Sequence, residues 1–385
     1  MSGFRIPFFE PPITEDDIAA VVDTLRNGWL TTGPNVKAFE EELAAYTGAD
    51  HVVAVNSCTA AMHLTLAAWG VGPGDEIITT PTTFSATAAV AVHLGAKPVL
   101  ADIREHDLNI HPDQVAKAVT PRTKAIIPVH FGGEPCDMSA LQAIADANNL
   151  KILEDAAHAL GTTYRETPVG SISDAAAYSF YATKNITTGE GGALATDDLE
   201  LAARVRQLSL HGMSRDGWKR YEAGGSWRYD VREFGYKANL TDMAAALGRS
   251  QLKRANDLLA RRTRAAQRYL ANLADVPHLT LPGFDERNTQ AWHLFVIRLH
   301  PDSPVSRDDV IAGLTKRGIG TSVHFIPLHL HTAFKDLGYW QEGDFPVAER
   351  AFAGTVSMPL FPGITDAEVD DVSQSLREIL AGKTR

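Results

Sequence analysis

Lys184 is the residue whose surroundings most strongly suggest chemistry. It lies at the end of an apolar run, segment 178–185 (YSFYATKN), and precedes three glycines in segment 187–192 (TTGEGG). Glycines allow a backbone to approach a flat ligand closely. A lysine in a slot that excludes water has a lowered pKa and can form a Schiff base with a carbonyl group. The alternative is a solvated loop lysine, and Lys184 alone does not decide between the two.

Asp155 stands at the end of a second apolar run. Segment 150–155 (LKILED) predicts a strand that ends in this carboxylate, and open α/β sheets bind ligands at the carboxyl ends of their strands. A carboxylate there can hold a protonated pyridine nitrogen, which keeps the ring positively charged. It can equally cap a helix that begins at Ala156. Asp155 and Lys184 are one βαβ-sized step apart, so both side chains could reach neighbouring strand ends.

Other segments offer contacts for a phosphate and a flat ring. Segment 56–61 (NSCTAA) follows the first predicted strand and opens a helix. Free N–H groups and hydroxyls at such a place suit a phosphate, although the segment is also an ordinary helix cap. Ser179 adds a hydroxyl at a strand end. Phe84 follows another strand and could stack on a planar ring; the alternative is a place in the core.

These features together predict pyridoxal phosphate (PLP) as the cofactor. They place a lysine, a carboxylate, a phosphate cradle and an aromatic ring at successive strand ends. PLP has an aldehyde, a pyridine nitrogen, a phosphate and a flat face. The match of four groups to four sites is far more specific than any single feature.

The elements that must position these residues alternate between strand and helix. This alternation predicts an α/β fold with a mostly parallel central sheet. Strand runs that are apolar on both faces, such as AIIPV (125–129), indicate helices on both sides of it. The predicted strands are His51–Val55, Glu76–Thr79, Lys97–Asp102, Lys124–Val129, Leu150–Glu154, Asp174–Phe180 and Gly192–Thr196. The predicted helices between them are Thr59–Trp69, Phe84–Leu94, Pro112–Val119, Ser139–Asn148 and Leu199–Ser209.

The pattern changes near residue 240. One long helix is predicted over Asp242–Leu273. Strand Trp292–Leu299, helix Ser306–Lys316, strand Gly320–Phe325 and helix Thr365–Leu380 follow it. We therefore expect a large α/β domain at 1–250 and a smaller α+β domain at 251–385.

Composition narrows the class of protein. The chain has 36 basic and 47 acidic residues, a net charge of −11, which disfavours a nucleic-acid partner. No apolar run reaches the ~18 residues that span a bilayer, and the N-terminus lacks the features of a secretory signal. Two cysteines, Cys58 and Cys136, suggest no disulfide framework. We expect a soluble cytoplasmic protein with neither a membrane segment nor a nucleic-acid partner.

Several motifs are missing or incomplete. There is no P-loop, no Gly-x-Gly-x-x-Gly after the first strand, no His-Glu-x-x-His and no Cys-x-x-Cys. A nicotinamide-dependent enzyme is therefore disfavoured, because the turn after the first predicted strand lacks the glycine motif that binds the dinucleotide. His324, His329 and His331 lie close together, but no spaced carboxylate or cysteine completes a ligand set, so we expect no metal.

Five segments of the chain together form a pattern typical of one family. They are EDAAHALG (154–161), SFYATKNITTGEGG (179–192), NSCTAAMHL (56–64), GYKANLTDMAAALG (235–248) and GIGTSVHFIPLHLH (318–331). These segments resemble the DegT/DnrJ/StrS family of PLP-dependent sugar-nucleotide aminotransferases, which have the aspartate-aminotransferase fold (PLP fold type I). The resemblance runs from about Gly28 to Val372. It is closest to the branch that aminates UDP-linked 4-keto sugars, including the 4-amino-4-deoxy-L-arabinose enzyme that modifies lipid A of lipopolysaccharide.

The resemblance implies roles for the cofactor residues. Lys184 is the Schiff-base lysine and proton shuttle, and Asp155 pairs with the pyridine nitrogen. His158 lies beside the ring oxygen, where relatives often have Gln. Phe84 stacks on the ring, where the arabinose branch usually has Trp. The phosphate is held by Thr59, Ala60 and Ser179.

It also implies partner and substrate contacts. Asn239 matches an asparagine that reaches the cofactor phosphate of the partner subunit, which makes the active unit a homodimer. The sugar-nucleotide cleft is lined by Trp29, Thr31, His324 and His329. Pro327 and Leu328, before His329, depart from the arabinose branch, so the exact sugar stays open.

The implied reaction moves the amino group of L-glutamate to the C4 keto group of a nucleotide-linked, UDP-type sugar by a ping-pong mechanism. One relative has His in place of the Schiff-base lysine and performs dehydration, so Lys184 favours transamination. A PLP-dependent sugar dehydratase and a non-catalytic PLP-binding regulator remain the alternatives. A mildly basic stretch around Trp218 and Trp227 contains Arg215, Lys219, Arg220 and Arg228. It could bind a diphosphate, or it could be a solvated loop.

Overall fold

The computed structural model of the protein describes residues 3–214 and 229–382. The basic stretch around Trp218 and Trp227 lies outside these residues. The described strands are β1 (His51–Val55), β2 (Glu76–Thr79), β3 (Lys97–Leu100), β4 (Thr123–Ile126), β5 (Lys151–Asp155), β6 (Thr163–Tyr164), β7 (Thr167–Pro168), β8 (Ala175–Ser179), β9 (Gly192–Thr196), β10 (Leu279–Thr280), β11 (Phe295–Leu299) and β12 (Thr355–Met358).

The described α-helices surround two larger sheets. They are α1 (Glu15–Asn27), α2 (Pro34–Thr47), α3 (Cys58–Ala68), α4 (Ala86–His93), α5 (Pro112–Ala118), α6 (Met138–Asn148), α7 (Leu199–Leu208), α8 (Asp242–Leu252), α9 (Ala255–Leu273), α10 (Arg307–Lys316), α11 (Thr332–Lys335), α12 (Pro346–Gly354) and α13 (Asp366–Leu380). Several begin at a side-chain cap; the carboxylate of Asp137, for example, accepts the N–H of Ala140 at 3.2 Å at the start of α6.

The central sheet has seven strands in the order β1-β9-β8-β5-β4-β2-β3. Strands β3, β2, β4, β5 and β8 run parallel, and β9 is antiparallel to both of its neighbours, β8 and β1. The predicted mostly parallel sheet is therefore confirmed. Because β1, β5 and β8 point the same way, their carboxyl ends lie at one edge, where the chemistry-bearing residues follow them.

Both faces of this sheet are apolar, as predicted. Val53 and Leu153 belong to a core on one side, whereas Val52 and Ile152 belong to cores on the other side. Successive residues of a strand point to opposite faces, so a sheet covered on both sides needs continuous apolar runs. This explains why the strand positions could be read from short apolar stretches.

The prediction of one long helix over Asp242–Leu273 is wrong. Helix α8 ends at Leu252 and α9 begins at Ala255. At the break, the guanidinium of Arg254 pairs with the buried carboxylate of Asp17, 2.7 Å away, and with the carbonyl of Pro12. The apolar spacing continues through the break without Pro or Gly, so the sequence carries no signal of this tertiary contact.

A smaller antiparallel sheet, in the order β10-β11-β12, forms the C-terminal part together with α9, α10 and α13. The predicted strand Gly320–Phe325 is not a regular strand. Gly320 donates its N–H to Ile6, and Ser322 forms an isolated bridge with Ser357. The segment is held between the N-terminal segment and β12, and it passes along the cavity described below.

The boundary at residue 250 stays a prediction. Ile6, from the N-terminal segment, packs in the C-terminal core. Another apolar cluster joins Leu100 and Phe131 to Leu294 and Phe345. The two parts therefore share packing across the predicted boundary.

Cys58 and Cys136 are buried free thiols. Within residues 3–214 and 229–382, no helix has the length and apolar character needed to cross a membrane.

Gly192, the first residue of β9, contacts the start of helix α3. A Cβ at this position would lie 2.3 Å from the backbone nitrogen of Cys58 and 2.3 Å from the carbonyl carbon of Ser57. The glycine-rich segment was expected to let the backbone approach a flat ligand. At Gly192 the close approach is instead to the first turn of α3, the predicted phosphate site.

Gly192→Ala is therefore expected to lower the free energy of unfolding by about 1–3 kcal/mol, because the added methyl group must displace backbone. Urea unfolding measures the loss. Gly72→Ala is the matched control, since a Cβ there meets no heavy atom within 4 Å; it should change stability by less than about 0.5 kcal/mol. Equal stability of the two variants would contradict the close contact.

Candidate active site

One cavity of about 460 Å³ lies at the carboxyl ends of β5 and β8. It brings together residues that are far apart in the chain and that the sequence singled out for chemistry. The predicted residues that line it are Thr59, Phe84, Asp155, His158, Ser179, Lys184 and His324.

Lys184 follows β8 in a tight turn, in which its N–H donates to the carbonyl of Tyr181 at 2.9 Å. Burial of the ammonium group lowers the pKa of Lys184 to about 8, although the negative charge of Asp155 acts in the opposite direction. Loss of hydration disfavours the charged form, and this outweighs the carboxylate. A large fraction of Lys184 is therefore the neutral amine near pH 8, which is the nucleophilic form.

The lowered pKa of Lys184 predicts the pH dependence of the rate at which the apoprotein forms a Schiff base with PLP. The rate should rise with pH and level off above about pH 8, because the neutral amine is the reacting species and becomes dominant above its pKa. Growth of the visible absorbance band after PLP is added measures this rate. A Lys184→Ala variant should develop no such band at any pH. A rate that is still rising steeply near pH 10 would contradict the burial of the amine.

Asp155 is the last residue of β5 and is 5 % exposed. The hydroxyl of Thr87 donates to Oδ2 at 2.7 Å, and the N–H of Ala157 donates to Oδ1 at 3.1 Å. Burial raises the pKa of Asp155 despite these bonds. It forms no ion pair with any described residue, so a buried carboxylate with fixed orientation faces the cavity without a cationic neighbour in contact.

His158 lies in the turn after β5 and is buried. The N–H of Gly132 donates to its Nδ1 at 3.3 Å, so Nδ1 is the acceptor and Nε2 carries the ring proton. Burial lowers the pKa of His158 well below its usual range, with smaller effects from Lys184 and His324. The ring is neutral at physiological pH, and its Nε2–H is a donor on the cavity wall.

The predicted phosphate site lies at the N-terminus of α3. Ser57 caps this helix and accepts the N–H of Ala60 at 3.0 Å. Thr59 lines both the main cavity and a neighbouring, more open one, whereas Ala60 lines only the latter. The hydroxyl of Ser179 faces the main cavity from the end of β8. For Ala60 to bind a phosphate through its N–H, the hydroxyl of Ser57 would have to turn away.

Phe84 presents an aromatic face to the cavity. It is 63 % exposed, and its ring centre is 6.5 Å from that of Phe325. Phe84 is not a core residue, so the alternative reading of this position is wrong. An exposed ring on the wall of a cavity suits stacking on a flat ligand.

Like Ala60, three further predicted residues, Trp29, Thr31 and Asn239, do not line this cavity. Trp29 is 44 % exposed and donates its indole N–H to the carbonyl of Thr32. The carbonyl of Thr31 accepts from the N–H of Asp242. Asn239 donates its side-chain amide to the hydroxyl of Thr32 at 2.7 Å. The structure thus gathers these residues in one region beside the Thr32 segment.

The two predicted substrate histidines differ in position. His324 lines the cavity, its Nδ1 is 2.8 Å from the hydroxyl of Ser357, and burial lowers its pKa to about 4. His329 is fully buried outside the cavity lining, and its Nε2 is 2.8 Å from a carboxylate oxygen of Glu349. The geometry of this chain therefore gives His329 a packing role and does not bring it to the predicted cleft.

Two cavity residues escaped the sequence reasoning. Thr87, whose hydroxyl orients Asp155, lies three residues after Phe84, in a segment considered only for its aromatic ring. His293 lies against His158, although nothing in its local sequence marks it. Among the described residues, one group of three potential metal ligands lies close together, and it is outside this cavity: His278, His300 and Asp302.

The arrangement fits PLP. The buried carboxylate of Asp155, which has no cation in contact, suits the protonated ring nitrogen. Phe84 suits the ring face, and Lys184 suits the aldehyde. The start of α3 and Ser179 provide donors for the phosphate.

Comparison with known proteins gives the class. Residues 11–377 match the model of the DegT/DnrJ/EryC1/StrS aminotransferase family, and the chain belongs to this family. It is a PLP-dependent sugar aminotransferase. The resemblance to this family and the predicted aminotransferase fold are thereby confirmed, whereas the branch that aminates UDP-linked 4-keto sugars stays a prediction.

Individual relatives match over nearly their whole length. The chain is 51 % identical to the spore coat polysaccharide biosynthesis protein SpsC of Bacillus subtilis over 380 residues, which are 98 % of this chain and 97 % of SpsC. Spr1654 of Streptococcus pneumoniae, assigned as a sugar aminotransferase and solved in PLP and PMP forms, is 37 % identical; in the PMP form the TM-score is 0.92, with 98 % of this chain and 100 % of Spr1654 covered.

A third relative is PseC of Helicobacter pylori, an aminotransferase involved in the biosynthesis of pseudoaminic acid. It is 31 % identical to this chain, with a TM-score of 0.91, and the match covers 98 % of this chain and 99 % of PseC.

Proposed function

We propose that the protein transfers the amino group of L-glutamate to the C4 keto group of a nucleotide-linked sugar, of the UDP type. The observation that carries this proposal is that Lys184 and Asp155 line the same cavity of a sugar aminotransferase. The amine of Lys184 has a pKa of about 8, and the carboxylate of Asp155 is fixed by Thr87 and Ala157. An enzyme with both groups intact has the parts for transamination.

PLP, when bound, supplies an electron-withdrawing ring that stabilises negative charge on carbon next to the reacting nitrogen. The chain's own residues do the rest. Lys184 moves a proton between the substrate carbon and the cofactor, which requires its amine to be free for part of the cycle. Asp155 holds the ring nitrogen protonated, and Phe84 orients the ring. His158 offers its Nε2–H to the ring oxygen.

The lining of the cavity supports one site for both substrates. Beyond the cofactor residues, the walls are mostly apolar and aromatic, with contributions from Phe8, Phe9 and Phe325. His324 stands among them with a neutral ring, as a polar contact for a hydroxyl. A ping-pong exchange of donor and acceptor through one site agrees with this layout.

We also propose that the aminated sugar enters a cell-surface polysaccharide. The name of SpsC, which is 51 % identical, supports this role. PseC is an aminotransferase involved in the biosynthesis of pseudoaminic acid, which supports a biosynthetic role for the amino transfer.

The test is a product assay. Purified enzyme is incubated with L-glutamate and a panel of UDP- and dTDP-linked 4-keto sugars, and products are read by mass spectrometry. The expected product is a 4-amino sugar nucleotide formed together with 2-oxoglutarate. A dehydrated sugar without added nitrogen would support the dehydratase alternative, and binding of PLP without any product would support the regulator.

We further propose a homodimer in which Asn239 reaches the partner's cofactor phosphate. Asn239 is not among the residues that line its own cavity, and it follows a segment with exposed apolar side chains. Phe234 is 98 % exposed and Val231 is 49 % exposed. Burial of such side chains against a second copy would stabilise a dimer.

Mixed variants test this arrangement. The variants Lys184→Ala and Asn239→Asp are each expected to have little or no activity alone. The two purified variants are then mixed under conditions in which the dimers exchange subunits. If Asn239 acts across the interface, the mixed dimer has one site with both lesions and one intact site, so activity returns. If Asn239 acts in its own chain, every site keeps one lesion and no activity returns.

A further inference from the structure

His293 packs against His158 on the cavity wall. The two ring centres are 4.3 Å apart and the ring planes differ by 32°. Both side chains are 6 % exposed. His158 follows β5, whereas His293 precedes β11, so the pair joins the central sheet to the C-terminal part.

The tautomer of His293 follows from its neighbours. Its Nδ1 is 3.2 Å from Oδ1 of Asn185. The amide of Asn185 cannot be reversed, because its Nδ2 donates to the carbonyl of Ala291 at 2.8 Å. Oδ1 is therefore an acceptor, and Nδ1 of His293 carries the proton. Nε2 of His293 is left as an acceptor, and Asn185 is the residue next to Lys184.

A single residue, Gly132, ties the two histidines together. The N–H of Gly132 donates to Nδ1 of His158, and the carbonyl of Gly132 accepts the backbone N–H of His293 at 2.9 Å. The position of His158 thus depends on Gly132 on one edge and on the ring of His293 on one face. Phe325 lies on this side of the cavity too, with its ring centre 6.0 Å from that of His158.

The surroundings keep both rings neutral. The charged or titratable groups that act on His158 are Lys184 and His324, and Arg262 acts on His293 in addition. Burial is the larger cause, and it lowers the pKa of both histidines well below the usual range. Neither ring gains a proton in the neutral pH range, so each keeps one fixed donor.

We propose that His293 is a positioning residue, which holds the imidazole of His158 in the orientation that presents Nε2–H to the cofactor. This inference rests on the proposed function and on the role of His158 beside the ring oxygen. A donor at that oxygen stabilises its negative charge and so favours the unprotonated Schiff base between Lys184 and PLP. Loss of the donor therefore raises the pH at which this Schiff base loses its proton.

The test is a pH titration of the visible absorbance of the PLP-loaded enzyme, a readout independent of turnover. His158→Phe should raise the midpoint by about one pH unit, the size expected for one hydrogen bond to a charged group. His293→Ala should shift it in the same direction, because the His158 ring is released. His293→Phe keeps a ring in contact and should restore most of the wild-type midpoint. If the alanine variant does not fold, His293→Leu takes its place with the same expected shift.

A double variant separates positioning from general packing. In the His158→Phe background, His293→Ala should shift the midpoint no further, because it acts through His158. His329→Ala is the control, since His329 is also buried but lies outside the cavity lining, and it should leave the midpoint unchanged. An unchanged midpoint in His293→Ala with a normal visible band, or additive shifts in the double variant, would overturn the inference. A wild-type protein with no visible band would instead overturn the proposed function.

Discussion

Lys184→Ala is expected to lower turnover by at least about four orders of magnitude, since it removes both the nucleophilic amine and the proton shuttle. The variant should still bind PLP, because Asp155, Phe84, Ser179 and the start of α3 remain. Binding should be non-covalent and reversible by dialysis. Steady-state turnover and the visible spectrum measure the two effects.

The control for this variant is Lys117→Ala. Lys117 is exposed at the end of α5 and lies outside the cavity lining. Its replacement should leave both turnover and spectrum unchanged. Substantial transamination by Lys184→Ala would show that another group moves the proton and would refute the assignment of Lys184.

Asp155→Asn is the second substitution that we expect to lower turnover strongly. The substitution keeps the shape of the side chain but removes the negative charge that holds the ring nitrogen protonated. Breaking a buried charge pair costs about 3–5 kcal/mol, which corresponds to a loss in turnover of about 10²- to 10⁴-fold. PLP affinity should fall as well, which equilibrium titration of the apoprotein measures.

Asp146→Asn, on the exposed surface of α6, is the matched control and should behave like the wild type. A further variant tests the hydrogen bond that orients the carboxylate of Asp155. Thr87→Val removes the hydroxyl that donates to Asp155, so it should reduce turnover by a smaller factor than Asp155→Asn. If Asp155→Asn retained full turnover, the ring nitrogen would not depend on this carboxylate.

The sequence predicted the central sheet well because its strands are short apolar runs buried on both faces. The bounds of β1, β2 and β9 agree with the predicted His51–Val55, Glu76–Thr79 and Gly192–Thr196. The parallel order then places the ends of β5 and β8 at one edge. Asp155, Ser179 and Lys184 meet there for that reason.

The errors arise where tertiary contacts override local pattern. The break between α8 and α9 depends on Arg254 reaching Asp17, a residue far away in the sequence. The irregular segment 320–325 depends on Ile6 and Ser357. Neither contact leaves a periodic signal in the chain.

The site residues also divide into those that the local sequence could predict and those that depend on tertiary contacts. Those that follow strands could be found from spacing and family resemblance. His293 could not, because it matters only through its contact with His158, which needs the folded C-terminal part. The predicted role of Asn239 involves a partner subunit, and this role and those of Trp29 and Thr31 remain predictions.

The most direct test of the proposed function is the visible spectrum of the PLP-loaded enzyme through one full cycle. L-glutamate should abolish the visible band as the cofactor takes up the amino group. Addition of the correct UDP-linked 4-keto sugar should then restore the band, with one equivalent of amino sugar formed per site. A band that ignores glutamate, or that no nucleotide-linked keto sugar restores, would contradict the proposal.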